Sequence, residues 1–167
     1  MMPKTNPQSK ELFHHDFIGN WCLNRRIREK LSTKAIFLNG SAHLTHSSTL
    51  LPNSNFLKYD RDKYIFSENG MLDYYGTKLN SSNSFVWIKS KNEWLVSLKN
   101  GTHFFSISLS ERNQKVYYTC GEDKYNGHIK LISGCKFVIT WKVHGPRKCY
   151  LIKTIYKKIL NNRAIKN

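Results

Sequence analysis

The turn at Gly145-Pro146 is followed by residue types that bind anions. Arg147 and Lys148 come directly after it, and a guanidinium can grip a carboxylate or phosphate through two hydrogen bonds. If this turn joins two strands, both cations lie at one rim of a sheet. We therefore predict an anion-binding group here, and a solvated basic turn is the alternative. The candidate binding residues of this segment are Trp141, Arg147, Lys148 and Tyr150.

A second group lies around residues 118–125. Tyr118 and Cys120 alternate onto one face of a predicted strand, and Asp123 and Tyr125 stand at the following turn. Polar groups that face the inside of a sheet must be hydrogen-bonded, either to each other or to a ligand. These four residues are therefore candidate ligand contacts, unless they serve only to fix the turn.

Motifs for catalysis or metal binding are missing from the sequence. It has no G-x-S-x-G, no H-E-x-x-H and no phosphate-binding glycine loop. His43 and His46 would lie on opposite faces of a strand, so no metal site is predicted. The sequence names no catalytic residue and no cofactor, and it favours binding over catalysis. An enzyme without a recognisable motif stays an alternative, with Glu122, Asp123, His144 or Cys149 as its ionisable groups.

Short β-strands are the elements that would position these residues. Residues 21–27 alternate with the period of a strand, and an aromatic content of 13% also favours strands. Asn100-Gly101 predicts a tight hairpin, and further turns are predicted at 68–70, 80–83 and 111–113. The other predicted strands are 40–46, 63–68, 71–79, 84–89, 93–98, 103–109, 115–122, 127–132, 136–144 and 149–158.

About ten strands without intervening helices predict an all-β fold. An up-and-down antiparallel barrel is the economical form, because closure removes exposed strand edges. A β-sandwich is the alternative. Residues 1–8 are predicted to be a flexible leader, 9–160 a single barrel domain that opens with a short helix over 10–17, and 161–167 a basic tail.

Charge and composition limit the classes of partner and the compartment. The net charge is +16, and no acidic residue follows Asp123. Such a surface attracts nucleic acid, anionic membrane or acidic protein. Four cysteines without metal-site spacing predict reduced thiols. Because there is neither a signal-peptide pattern nor a long apolar run, we expect a cytoplasmic protein without a transmembrane segment.

The segment Gly19-Asn20-Trp21 follows the predicted helix directly. It resembles the G-x-W of lipocalin-like barrels, which lies where the first strand begins. In those barrels the tryptophan fills the closed end, often under a basic side chain from the last strand. The resemblance implies a structural role for Trp21, with Lys158 as its basic partner.

A wider resemblance extends from about residue 17 to residue 158. The segments that carry it are Gly19-x-Trp21-x-x-x-Arg25, Gly40-x-Ala42, Glu68-x-Gly70, Asn100-Gly101-x-x-Phe104, Cys120-x-x-Asp123-x-Tyr125 and Trp141-x-Val143-x-Gly145-Pro146-Arg147-Lys148-x-Tyr150. Together they resemble an uncharacterised family of bacterial and fungal proteins, domain of unknown function 6314. The resemblance implies a lipocalin-like (calycin-like) barrel and no established activity. The sequence departs from that family at Tyr118, where a histidine is usual, and at Cys149, where an aspartate is usual.

These observations together predict a barrel that binds a small, anionic and partly apolar ligand, inside the barrel or at its mouth. Arg25 joins the polar contacts, and Phe137 and Tyr156 are the predicted inward aromatics. The alternative is a basic surface module that binds nucleic acid, anionic membrane or an acidic protein.

Overall fold

The computed structural model describes residues 11–50 and 62–160, and most of these residues form β-strands. The strands are β1 (Gly19–Glu29), β2 (Ala35–His46), β3 (Lys63–Tyr74), β4 (Thr77–Ser90), β5 (Glu93–Ser97), β6 (His103–Ser108), β7 (Asn113–Cys120), β8 (Asp123–Ser133), β9 (Lys136–Gly145) and β10 (Lys148–Lys158). The helical pieces in this part of the chain are a 3-10 turn (His14–Asp16) and α1 (Ser47–Leu50).

All ten strands belong to one antiparallel sheet in the order β6-β5-β4-β3-β2-β1-β10-β9-β8-β7. The sheet curls until its edge strands, β6 and β7, face each other. The side chain of Gln114 bridges this seam, because its Nε2 donates to the Ser108 carbonyl and its Oε1 accepts from the Ser108 N–H, both at 2.7 Å. The predicted up-and-down barrel is confirmed, and the two-sheet sandwich is excluded for the described residues.

The two ends of the barrel differ in what fills them. The five hairpins that join β1 to β2, β3 to β4, β5 to β6, β7 to β8 and β9 to β10 lie at one end, which we name the mouth. The 3-10 turn lies at the other end. There Phe17 and Phe137 pack against Trp21, with ring centroids 6.4 and 5.0 Å from its own. Aromatic side chains therefore close this end.

The predicted pairing of Trp21 with Lys158 is confirmed. The Lys158 Nζ lies 5.5 Å from the Trp21 ring centroid and donates a hydrogen bond of 2.7 Å to the Asp16 carbonyl. The Trp21 indole N–H donates to the Phe17 carbonyl at 2.9 Å. Through these contacts the end of β10 holds the residues that precede β1 against the closed end of the barrel.

The β3–β4 hairpin corrects part of the predicted strand pattern. The predicted turns at 68–70 and 80–83 lie inside β3 and β4, and the chain reverses at Tyr75-Gly76. Both turn residues have positive φ (51° and 96°), as a tight two-residue hairpin requires. The Asn- and Ser-rich stretch 80–84 is therefore part of strand β4 and not a turn, and most of its polar side chains are exposed to solvent.

Gly70, the last residue of the predicted turn 68–70, is paired with Gly40 in the middle of the sheet. A Cβ atom on Gly40 would lie 2.1 Å from the Asn69 carbonyl oxygen. The two glycines are therefore needed where β2 and β3 approach closely, which the sequence pattern alone cannot distinguish from a turn.

The predicted helix over 10–17 is also corrected. Residues 11–13 are not helical, and only His14–Asp16 form a 3-10 turn. Leu12 and His14 are both buried, an alternation that extended backbone produces and a helix of this length does not.

The predicted leader 1–8 and the tail 161–167 lie outside the described residues. No helix in the described part of the chain is long and apolar enough to cross a membrane.

Candidate ligand-binding cavity

The interior of the barrel encloses a cavity of about 220 Å³ in the half nearer the mouth. Asn83, one of its lining residues, is exposed, so the cavity reaches the surface there. This opening lies beside the part of β4 that β5 does not pair, since the β4–β5 ladder starts only at Val86. The lining residues are Arg25, Ile27, Phe66, Glu68, Asn83, Phe85, Trp87, Val96, Phe104, Phe105, Tyr125, Ile139, Trp141, Ile152, Thr154 and Tyr156.

Four polar side chains on the cavity wall, Arg25, Glu68, Thr154 and Tyr156, form a connected group that we name the Arg25 cluster. Arg25 Nη2 donates to both Glu68 carboxylate oxygens at 2.9 Å, and its Nε donates to Thr154 Oγ1 at 2.8 Å. The Tyr156 hydroxyl donates to Glu68 Oε1. The side chains of Arg25 and Glu68 are 19% and 3% exposed. Burying two charges costs several kcal/mol per ion unless such bonds compensate it, so removing either partner should be costly.

One donor of a side chain that lines the cavity is left without a protein acceptor. Arg25 Nη1 makes no hydrogen bond to any described residue. An acceptor atom inside the cavity could therefore bind to the Arg25 guanidinium without displacing its bonds to Glu68 and Thr154.

The Tyr156 hydroxyl is the titratable group most strongly affected by this environment. Burial raises its pKa well above the usual range, and the neighbouring Glu68 carboxylate raises it further because a phenolate beside it would be repelled. The Arg25 guanidinium acts in the opposite direction but does not outweigh these effects. Tyr156 therefore stays neutral and remains a hydrogen-bond donor to Glu68 at any physiological pH.

This shift predicts a pH dependence of stability. An unfolded tyrosine titrates at about pH 10, whereas folded Tyr156 keeps its proton there. Above about pH 10 the unfolded state binds fewer protons, so the free energy of unfolding falls as pH rises, by up to about 1.4 kcal/mol per unit. Urea denaturation between about pH 8 and pH 11 should give a shallower fall for Tyr156→Phe than for wild type. Tyr117→Phe, on the exposed outer side of β7, is the matched control and should follow the wild-type curve.

Parallel aromatic rings form one wall of the cavity. Phe104 stacks on Trp141 at 5.2 Å and 13°, and on Phe85 at 5.9 Å and 10°. Gly127 makes this arrangement possible, because a Cβ there would lie 2.6 Å from a Trp141 ring carbon. Flat, stacked rings of this kind favour a ligand that is itself flat.

At the mouth, an ion pair connects two hairpins. Lys148 Nζ lies 2.5 Å from Asp123 Oδ2, which joins the start of β10 to the start of β8. A Cβ on Gly145 would lie 1.8 Å from Asp123 Oδ1, so only glycine leaves room for this carboxylate. Asp123 and Lys148 are both predicted ligand contacts, and the structure places them against each other at the rim.

The other predicted residues divide into three groups. Arg25, Tyr125 and Trp141 line the cavity. Tyr118 does not line it but packs its ring on Phe104 and Tyr125, with centroids 4.7 and 5.7 Å away. The residues that lie away from the cavity are Cys120, which is exposed at the end of β7, Arg147, which is exposed in the β9–β10 turn, and Tyr150, which lines a separate depression of about 560 Å³ at the rim.

Glu68 and Thr154 are cavity residues that the sequence interpretation missed. Glu68 was assigned to a turn, although Tyr64 and Phe66 precede it at alternate positions. That alternation was the available signal, since residues two and four apart on a strand share a face. Thr154 likewise follows Ile152 and precedes Tyr156 on the inward side of β10.

Several solved structures are similar to this chain at low sequence identity. The S-type phycobiliprotein lyase CpeS from Guillardia theta matches with a TM-score of 0.55 and 12% identity, over 87% of this chain and 90% of that one. A de novo designed fluorescence-activating β-barrel matches with a TM-score of 0.44 and 8% identity, over 87% and 95% of the two chains. EF1p2_mFAP2b bound to DFHBI matches with a TM-score of 0.45 and 10% identity, over the same shares.

The first of these likenesses supports the barrel fold described above and nothing beyond the fold. A search of curated proteins gave no match. The matching family is described as a family of unknown function (DUF6314), and the match covers residues 17–158, from the entry to β1 through the end of β10. The chain therefore belongs to the DUF6314 family.

Proposed function

We propose that this protein binds a small, flat and largely apolar molecule in the barrel cavity, with one hydrogen-bond acceptor directed at the Arg25 cluster. The observation that carries the proposal is the combination of an aromatic-walled cavity with Arg25, whose Nη1 makes no hydrogen bond to any described residue. Small barrels either fill their interior with side chains or hold one ligand, and ligand sites combine apolar walls with a few polar groups.

The volume of the cavity limits the size of this ligand. An engineered cavity of about 150 Å³ holds benzene, so about 220 Å³ accommodates a one- or two-ring molecule. Longer ligands would extend past Asn83 into solvent. We therefore expect a compact aromatic or conjugated compound rather than a fatty acid.

The charge of the ligand follows from the ion pairs around the cavity. Arg25 is matched by Glu68 and Lys148 by Asp123. The cavity therefore offers hydrogen-bond donors rather than a net positive charge. We propose that the acceptor is a carbonyl or a carboxylate, with the carboxylate favoured only if it displaces part of the Glu68 interaction at Arg25.

The four cysteines are unpaired, in keeping with the reducing cytoplasm that we propose as the compartment.

Native mass spectrometry of protein purified gently from cells tests the proposal. Wild type should show a discrete additional mass that disappears on denaturation. Ile152→Phe places a larger ring into the cavity from β10 and should lower the loaded fraction at least about fivefold, because it occupies the ligand's volume. Ile155→Phe, three residues along the same strand and outside the cavity lining, is the matched control.

Two results would count against a ligand-holding cavity. The first is a wild-type protein without any additional mass. The second is an additional mass that Ile152→Phe retains in full while remaining folded. Loss in both variants would instead indicate a general effect of the added ring.

A further inference from the structure

The outward side of β1 and β7–β10 carries a continuous set of cations. Since residues alternate between the two sides of a strand, the strands that line the cavity also present every second side chain to solvent. At these outward positions there is no Asp or Glu. The Lys and Arg residues there, which we name the basic face, are Arg26, Arg28, Lys115, Lys124, Lys130, Lys136, Lys142, Lys153 and Lys157.

The cations of the basic face are not neutralised by the protein. None of them forms an ion pair within residues 11–50 and 62–160. All are exposed except Lys136, which is half-buried. By contrast, the outward positions of β2–β6 hold the cations Lys63 and Lys78 together with the acids Asp73 and Glu93. The strands therefore concentrate their excess positive charge on one side of the barrel.

The strand register places like charges directly beside one another. Arg26 is opposite Lys153 on β1 and β10, and Lys157 is opposite Lys136 on β10 and β9. Side chains that face each other in this way are about 4.5–5.5 Å apart at Cβ, and equal charges there are destabilising. A bound polyanion would relieve this repulsion, whereas nothing in the described part of the fold does.

We propose that the basic face binds nucleic acid through its phosphate backbone, independently of the cavity. Neighbouring strands lie about 4.8 Å apart, and a duplex presents one negative charge per about 1.7 Å of its axis, so the cations of adjacent strands can meet several phosphates at once. Hydrogen-bonding side chains lie between the cations, among them Asn24, Asn126, His128 and Thr140. Such groups bind phosphate and sugar without reading sequence.

The exposed apolar groups of this side fit nucleic acid better than a membrane. Tyr117, 67% exposed on β7, offers a ring on which a base can stack. Membrane-surface binding depends on a cluster of large apolar side chains that enter the lipid. Here Ile132 and Leu151 are exposed on β8 and β10, which β9 separates, and the other exposed apolar residues, Ile159 and Leu160, follow the end of β10.

Fluorescence anisotropy with a labelled 20-nucleotide single strand and the corresponding duplex tests this proposal. At 150 mM salt we expect micromolar dissociation constants, without dependence on sequence, and a linear fall of log K with log salt. The triple variant K130E/K142E/K153E should weaken binding at least tenfold and reduce the salt slope by about 3. The uncharged version, K130Q/K142Q/K153Q, should give an intermediate loss, which separates loss of contacts from added repulsion.

The matched control is K63E/K89E/K99E, which changes the net charge by the same amount but lies on β3, β4 and the β5–β6 turn. It should weaken binding less than threefold. An equal loss in this control would overturn the proposal, because net charge alone would then explain the binding. No binding of either oligonucleotide at 150 mM salt would overturn it too. The proposal would also be overturned if vesicles of phosphatidylserine and phosphatidylcholine bound the protein at least as tightly, per phosphate group, as the oligonucleotides do.

Discussion

Replacing Glu68 by alanine should destabilise the barrel by about 3–5 kcal/mol, because it leaves the buried Arg25 without its counter-charge. Glu68 accepts two hydrogen bonds from the Arg25 guanidinium and one from the Tyr156 hydroxyl, and its side chain is 3% exposed. The substitution removes all three bonds at once, and the guanidinium that remains has Thr154 as a neutral partner. Urea denaturation would measure the loss as a lower midpoint at an unchanged slope.

Two further variants separate loss of charge from loss of packing at this site. Glu68→Gln keeps the shape and one acceptor oxygen, so it should cost less than Glu68→Ala. The double variant R25M/E68L removes both charges and should recover much of the loss, since apolar replacement of a buried pair is often neutral or stabilising. A double variant as unstable as Glu68→Ala would show that the pair is needed for packing rather than for charge compensation.

The same double variant links the Arg25 cluster to the proposed function. If the ligand's acceptor is bound by Arg25 Nη1, R25M/E68L should lose the additional mass seen by native mass spectrometry while it remains folded. A stable variant that keeps the full load would contradict the role of Arg25 as a donor. The basic face is unaffected by these changes, since Arg25 and Glu68 both point inward.

Trp21→Ala is expected to cause a loss of similar size, about 3–5 kcal/mol. Trp21 is 1% exposed at the closed end, where its ring meets Phe17 and Phe137 and its N–H is bonded to the Phe17 carbonyl. Truncation leaves a cavity that the surrounding strands cannot fill. For a chain of this size the thermal midpoint should fall by roughly 6–20 °C.

Lys158→Met is the comparison for Trp21→Ala. It retains the aliphatic contact over the ring but removes the charge above Trp21 and the hydrogen bond to the Asp16 carbonyl. We expect a loss of about 1–2 kcal/mol from these two interactions. A Trp21→Ala variant that is no less stable than Lys158→Met would mean that the closed end collapses around the missing ring.

The strand pattern was predictable wherever one face of a strand is buried and the other is exposed to solvent. Trp21 and Leu23 are buried and alternate with exposed Cys22 and Asn24 along β1, so local periodicity was sufficient there. The hairpin at Asn100-Gly101 was predictable because Gly101 adopts the positive φ that such turns require. The prediction was wrong for the β3–β4 hairpin, since much of β4 is exposed on both sides and carries no alternation.

The candidate site was predictable only in part. Arg25, Tyr125 and Trp141 were identified and do line the cavity. Asp123 and Lys148 were identified by their residue types, but their pairing depends on the approach of two hairpins. Glu68 was missed because the Asn69-Gly70 pair that follows it favours a turn, and its partner Arg25 lies on another strand.

Local alternation and composition are enough to predict the all-β class and the uneven charge of the chain, because neither depends on contacts between distant residues. The roles of Trp21 and Lys158 followed from the resemblance to lipocalin-like barrels. Three features became known from the three-dimensional fold alone: Glu68 pairs with Arg25, Gly40 lies against Gly70, and the cations gather on one outer side of the barrel. Those contacts join residues far apart in the chain, and they are set by strand register and barrel closure, which no local pattern contains.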